Sequence, residues 1–471
     1  MKNYYLAIDL GASGGRHILG SMEGAKLILE EVHRFSHKPE LQNGSLIWEI
    51  DKIYEEIYMG IEKAGKWLSD APANKAGKIS SIGIDCWGVD YALLDSSGAL
   101  IPPVYAYRDL RTEPFYETAL SKDELYSITG IAFQPFNTIY QILADKAAGR
   151  LEKAAYMLQL PEYFSHLLAG IPCKKEFNEY TMASTTGLLD ARKKEWSSDL
   201  FSALALPAAL FKPVKEPPYS IGCLSEELQK RCGFNADVLM IASHDTASAV
   251  ACVDKTSLYI SSGTWSLLGI TGEPVLNSAA MEAGYTNEGA HNGSIRFLKN
   301  IMGLWVLQSL RRELGDKYSF SELENMAMEE EKNAPPDWNI DLNLPRFFSP
   351  SSMITEIKEE YRSRGMKVPE KPEELAYAIY TSLANCYKVA VTDLEKICGR
   401  SFPSISIIGG GSKDAYLNSL TARYTGKKVF AGPSEATSTG NILLQMQYNN
   451  DPAVKNGFSE LVSASFDVRE F

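Results

Sequence analysis

The sequence predicts an α/β protein built as two domains of similar size, on three observations. The chain has 471 residues, more than the roughly 50–250 that usually share one core. A strand, a turn of small residues and a second strand occur near residue 10 and again near residue 262. That spacing of half the chain suggests an internal duplication. Short β-rich runs alternate with longer helical patterns elsewhere, as in α/β architectures.

Hydrophobic residues make up 45% of the chain and charged residues 23%, an ordinary globular balance that excludes disorder. Lys+Arg 47 against Asp+Glu 59 gives a net charge of −12. Such a field repels phosphate backbones and anionic lipid, so neither a nucleic acid nor a membrane surface is expected as a partner. An anionic ligand must then be held by local backbone N–H groups. The seven cysteines, 86, 173, 223, 232, 252, 386 and 398, form no C-x-x-C pair, which points to reduced thiols rather than a disulfide framework or zinc site. The N-terminal apolar run meets Asp9 at once, unlike a signal peptide, and no run approaches the ~18–20 apolar residues of a membrane span. A cytoplasmic protein is expected.

In chain order, Tyr4–Ile8 reads as a strand, residues 11–15 as a glycine turn and Arg16–Gly20 as a second strand. Ile82–Asp95 reads as a hairpin bent at Trp87-Gly88. Tyr126–Ala148 and Lys153–Ala169 show helical spacing. Asp237–Ala242 is a buried strand, with a helix opening after Ser243-His244-Asp245-Thr246. Ser257–Ile260 and Trp265–Ile270 repeat the strand–turn–strand unit, and Asn300–Leu314 and Pro372–Cys398 read as long amphipathic helices. Ser404–Ile408 is a strand running into Gly409-Gly410-Gly411, followed by a helix and a strand at Val429–Ala431. Lys212–Pro218 and Glu329–Pro350 read as surface loops. The domains are expected at 1–246 and 247–471.

Five segments could carry chemistry. The turn in Asp9–Arg16 exposes consecutive N–H groups with little side-chain bulk, suited to phosphate oxygens, and Asp9 beside it could hold Mg²⁺. A plain hairpin is the equal alternative. Neither G-x-G-x-x-G nor Walker A is present. Ser261–Ser266 offers hydroxyls and N–H groups without charge. The glycines at 409–411 permit close approach of a flat ring or ribose. Asp245, after a buried strand and at a helix start, could accept the proton of a hydroxyl attacking a γ-phosphate; an N-cap carboxylate is the bland alternative. Trp87 could offer a flat face to a sugar, with Asp85 and Asp90 as hydroxyl acceptors; an ordinary core residue is the bland alternative.

The order of these segments carries more than any one of them. DLGASGGR, SHDTAS, SSGTWS and IIGGGSKD follow one another as they do in the FGGY carbohydrate kinases, which the chain resembles nearly end to end. WGVD and KNIMGLW resemble the branch acting on L-rhamnulose. The resemblance implies two RNase H-like domains of the actin-like ATPase superfamily around an interdomain cleft, ATP and Mg²⁺ as cofactors, and a small ketose as substrate, phosphorylated on its 1-hydroxyl. It also implies that Ala12, Ser13, Gly14, Gly15 and Arg16 contact the ATP phosphates, with Asp9 near the metal. Thr264, Gln308 and Gly410 or Gly411 would contact the nucleotide. Gly88, His244, Thr246 and Asn300, with Trp87 and Asp85, would face the sugar, and Asp245 would be the catalytic base. The expected state is a monomer or small homo-oligomer. The alternatives are a kinase for another ketose, such as L-fuculose or xylulose, and a non-catalytic actin-like ATP-binding protein. Departures from the family pattern, Gly14-Gly15, Ala290 and Ser412-Lys413-Asp414, fall mostly on the nucleotide side.

Overall fold

A computed structural model describes residues 2–116, 120–171, 176–334, 338–348 and 350–471. The chain divides into two compact units. One comprises Met1–Cys252, Thr271–Phe297 and Ala436–Ser465; the other comprises Val253–Ile270, Leu298–Glu435 and Phe466–Phe471.

The first unit is built on a six-stranded sheet in the order Tyr219–Cys223, Asp237–Met240, Gly77–Cys86, Lys2–Gly11, Gly14–Glu23 and Lys26–Ser36. The first three strands of the chain form an antiparallel meander. Lys2–Gly11, Gly77–Cys86 and Asp237–Met240 run parallel, so their C-terminal ends share one edge of the sheet. Parallel strands need crossovers. One is the helix Ile50–Ser69, which buries Ile53, Ile57, Ile61 and Ala64 at three- and four-residue spacing.

The second unit repeats this order of strand types. The hairpin Leu258–Ser262 and Trp265–Gly272 is antiparallel, Leu258–Ser262, Ser404–Ile408 and Lys428–Ala431 are parallel, and Arg469–Glu470 closes the edge antiparallel. Its crossover is the 27-residue helix Pro372–Cys398, opened by a proline and stopped by Gly399 at φ +64.

Several boundaries differ from the periodicity reading. Gly77–Cys86 pairs inside the main sheet, while Tyr91–Leu94 leaves it to pair with Tyr156–Gln159. Residues 82–95 are therefore no hairpin. The pattern at Tyr126–Ala148 contains two helices, Lys122–Thr129 and Thr138–Ala147, the first ended by Gly130 at φ +63. Lys153–Ala169 holds the strand Tyr156–Gln159 before the helix Leu160–Leu168. Asn300–Leu314 splits likewise into the strand Ile295–Met302 and the helix Trp305–Glu313, so Asn300 sits on a strand.

Within Glu329–Pro350, residues 335–337 and 349 lie outside the described residues. Trp338, Ile340, Leu342 and Phe347 are buried, with Trp338 donating to Lys367 O and accepting from Thr381 Oγ1. The alternation of Trp338, Ile340 and Leu342 is a core signal that the polar composition around it obscures. In Lys212–Pro218, Val214–Lys215 pairs with Asn178–Glu179. The six described cysteines are free thiols; Cys173 lies outside the described residues. No helix among the described residues is long and apolar enough to cross a membrane.

The helix Ala436–Tyr448 docks on the first unit's sheet through polar side chains one turn apart. Asn441 Nδ2 donates to Gly83 O at 3.0 Å and Gln445 Nε2 to Leu6 O at 2.9 Å. It also packs on the helix Asp245–Val250 so closely that a Cβ at Gly440 would come 1.7 Å from Ser248 O. Gly440→Ala is expected to destabilise the protein by about 1–3 kcal/mol through overpacking, measured as a lower urea midpoint.

Candidate active site

The C-terminal ends of the three parallel strands gather the acidic residues. Asp9 and Asp85 are paired in register across neighbouring strands, and a bridge between Cys86 and His244 brings Asp245 alongside. Asp9 is buried, and its Oδ2 accepts from Arg16 Nε at 3.0 Å, Arg16 Nη2 at 2.8 Å and Ser438 Oγ at 3.1 Å. The Arg16 pairing follows from the hairpin register, which sets the two residues opposite each other. Asp85 is fully buried and accepts from Asn441 Nδ2 at 2.6 Å. Its Oδ1 has no hydrogen-bond partner among the described residues. Burial, then the Asp9 charge, pushes the Asp85 carboxyl well above the usual range.

Asp245 is the first residue of the helix Asp245–Val250, and the N-cap is His244. Asp245 Oδ1 accepts from Thr246 N at 2.5 Å and Thr246 Oγ1 at 3.1 Å, so Thr246 orients the carboxylate. Its side chain is 32% exposed, open enough to meet a ligand. Desolvation, with repulsion from Asp9, raises its pKa from an ordinary 3.8 to about 6. A carboxylate poised there is ionised at neutral pH yet basic enough to take a proton.

His244 is held on several sides. Its backbone N–H donates to Thr181 Oγ1 at 3.1 Å, and Thr181 is in turn bonded to the buried Glu179. Its Nδ1 lies 3.0 Å from Arg296 Nη2. Desolvation, then the Arg296 charge, pushes its pKa well below the usual 6.5. The imidazole leans on Gly88, where a Cβ would come 2.8 Å from Cδ2 and Nε2.

Trp87 takes the core alternative of the sequence reading, and Asp90 is sealed from any sugar hydroxyl. Asp90 is fully buried; its Oδ2 accepts from Trp48 Nε1 at 2.7 Å, Trp87 Nε1 at 2.9 Å and Tyr107 N at 3.2 Å, and its Oδ1 from Gln141 Nε2 at 3.0 Å. It is a bracket for two indoles rather than a hydroxyl acceptor. Trp87 is buried, its ring packed against Trp48 and His37. Between them Val89 takes φ 70, a costly conformation for a β-branched residue. The Val89 carbonyl is pinned by Thr138 Oγ1 at 2.7 Å.

In the first turn, Ala12 and Ser13 form the tip. Gly14 and Gly15 are small for a packing reason: a Cβ would come 2.5 Å from Phe35 O and 2.6 Å from the Phe35 ring, respectively. In the second unit, Thr264 is exposed at the hairpin tip. Its carbonyl accepts from Trp305 N at 3.2 Å, docking the helix that carries Gln308. Gly411 packs against Ser262, where a Cβ would come 2.0 Å from Oγ, while Gly410 faces open space.

Residue patterns did not mark Glu179, Glu288 or Arg296. Asn441 stands among small residues at the start of the helix Ala436–Tyr448, and nothing local sets it apart from a packing residue.

Comparison with known proteins makes the class of protein a carbohydrate kinase. The profile described as the FGGY family of carbohydrate kinases, N-terminal domain, matches residues 4–252, and that of the C-terminal domain matches residues 258–447. The chain belongs to this family. It is 40% identical over 476 residues to a rhamnulokinase of Oceanobacillus iheyensis, covering 99% of this chain and 98% of that protein. To a rhamnulokinase of Bacillus subtilis it is 39% identical, covering 99% and 95%. Among solved structures, a ligand-bound xylulose kinase from Lactobacillus acidophilus superposes with TM-score 0.79 at 17% identity, over 100% of this chain and 93% of that one. A Plasmodium falciparum glycerol kinase with ADP gives 0.76 at 17%, over 99% and 94%. The fold is the actin-like ATPase fold of the sugar kinases.

Gly88→Ala is expected to push the His244 ring aside with the fold intact. It should lower kcat/KM for the sugar by about tenfold to a hundredfold, the cost of an ångström-scale misplacement, read from steady-state kinetics.

Proposed function

We propose that the chain transfers the γ-phosphoryl group of ATP to the 1-hydroxyl of L-rhamnulose, giving L-rhamnulose 1-phosphate and ADP. The observation that carries this reading is Asp245, a half-open carboxylate poised near pH 6. It sits beside an imidazole and a glycine, in a chain 40% identical over nearly its whole length to a rhamnulokinase. Asp245 takes the proton as the hydroxyl oxygen attacks the γ-phosphorus. His244, Thr246 and Gly88 orient the sugar, and Asn300 is also assigned to it. Ala12 to Arg16 are assigned to the phosphates. Thr264, Gln308 and Gly410 are assigned to the nucleotide, with Gly410 preferred over Gly411 because it faces open space.

Mg²⁺ is the expected companion of ATP, where it neutralises charge on the phosphate oxygens. The described residues hold no cluster of three or more metal-ligating side chains. That suits a cation bound through substrate phosphates, water and one or two carboxylates. Asp9, in register with Arg16 beside the turn assigned to the phosphates, is the carboxylate assigned to that cation. A cytoplasmic location fits the free thiols of the described residues.

Asp245→Asn is expected to keep nucleotide binding and lose about 10²- to 10⁴-fold in kcat; near-normal turnover overturns the base assignment. Only ionised Asp245 accepts the proton, so kcat/KM for the ketose should be level above about pH 6 and fall tenfold per unit below it. Comparing kcat/KM for L-rhamnulose, L-fuculose, D- and L-xylulose, L-ribulose and glycerol tests the substrate. Preference for another ketose overturns the choice of L-rhamnulose.

A further inference from the structure

Arg296 lies on the strand Ile295–Met302 with no exposed surface, and no residue pattern marks it. Its Nε donates to Gly289 O at 2.9 Å, and its Nη2 lies 3.0 Å from both Glu288 Oε2 and His244 Nδ1. A guanidinium has donors and no acceptor. His244 Nδ1 must therefore receive this hydrogen bond, and the ring proton must sit on Nε2. Nε2 is the edge that leans on Gly88 and lies 3.9 Å from Asp245 Oδ1.

We propose that Arg296 is a positioning residue for the sugar: by donating to His244 Nδ1 it fixes the imidazole as the Nε2–H tautomer, so that His244 offers the ketose a donor and never an acceptor. The consequence is selective. An oxygen on the substrate, carbonyl or hydroxyl, is accepted at that edge as a lone-pair partner. Glu288 balances the buried guanidinium charge, which would otherwise be costly to seal from water. Thr181 Oγ1, holding the His244 backbone, sets the pivot about which the ring is aimed. This role rests on His244 facing the sugar, as in the proposed function; the tautomer itself does not.

The test is a long-range ¹H–¹⁵N spectrum of the full-length protein labelled at histidine, with the His244 signals assigned by their loss in His244→Gln. The wild type should show a proton on Nε2 and none on Nδ1. In Arg296→Met the Nδ1–H tautomer should appear. KM for the ketose should rise about tenfold, the worth of one hydrogen bond, with the ADP dissociation constant unchanged within about twofold. In the His244→Gln background, the same substitution should have little further effect on KM, because the ring whose tautomer Arg296 sets is gone. If Arg296→Met alone does not fold, Arg296→Met/Glu288→Gln removes the buried pair together. A wild-type ring protonated on Nδ1 overturns the inference without any variant or substrate. So does a shifted tautomer with unchanged ketose KM. Absence of ketose turnover by the wild type, with the Nε2–H signature present, overturns the functional reading and the sugar-positioning role built on it.

Discussion

Asp9 and Asp85 face each other across two parallel strands, and the bridge from Cys86 to His244 adds Asp245 to the same edge. Three carboxylates at neighbouring strand ends repel one another strongly where water is scarce. The surrounding side chains answer that constraint one carboxylate at a time. Asp9 receives a two-donor grip from Arg16. Asp85 receives an amide from Asn441 and is driven toward its protonated form. Asp245, the most open of the three, receives only the N–H and hydroxyl of Thr246 and is left titrating near pH 6. Like residues in unlike surroundings thus acquire separate tasks: an ion-paired anchor, a buried brace and a group able to accept a proton.

The same constraint shapes the neutral side of the site. A protonated histidine next to Asp245 would form an ion pair and compete for the carboxylate that, on the proposed reading, takes the substrate's proton. Burial and the Arg296 charge remove that option by holding His244 uncharged. The Arg296–Glu288 pair has no exposed guanidinium surface, and a buried pair of this kind adds little to stability over apolar packing. What it does supply is direction, because a guanidinium in a fixed fork dictates where the imidazole keeps its proton.

The motifs legible in the sequence are those whose parts are adjacent: the turn after Asp9, the SHDT start of a helix and the triple glycine after a strand. Their partners were not legible, because the contacts that define them span 52 residues for Arg296 and His244, 356 for Asn441 and Asp85, and 63 for Thr181 and His244. Periodicity also failed where a strand runs straight into a helix. Residues 300–314 and 153–169 carry apolar residues that satisfy both patterns, and only pairing with a distant strand separates them. Residues 82–95 look like a hairpin because nothing local announces that Val89 adopts φ 70 and sends the chain away from the sheet. Gly14 and Gly15 carry a different lesson. Their smallness is explained by Phe35 on the next strand, so a glycine-rich turn beside a third strand is not in itself a sign of phosphate.

The repetition of strand order in the two units makes their difference informative. At the parallel strand ends of the first unit stand Asp9, Asp85 and, beyond Asp237–Met240, Asp245. The comparable ends in the second unit carry Ser261, Ser262, Ile408, Gly409 and Ala431, with Glu435 beyond the last of them. A polyphosphate is repelled by the first arrangement unless cations intervene and is tolerated by the second, where hydroxyls and backbone N–H groups are the polar groups on offer. Proton transfer makes the opposite demand: it requires a carboxylate whose affinity for protons has been raised by company and burial. On the proposed reading, one scaffold serves both needs because the neighbouring strand ends that carry Asp9 and Asp85 in the first unit carry serine, isoleucine and glycine in the second. The acceptor hydroxyl is activated where negative charge is crowded; the phosphates assigned to Ala12 to Arg16 need their cation there, and the rest of the nucleotide is assigned to Thr264, Gln308 and Gly410.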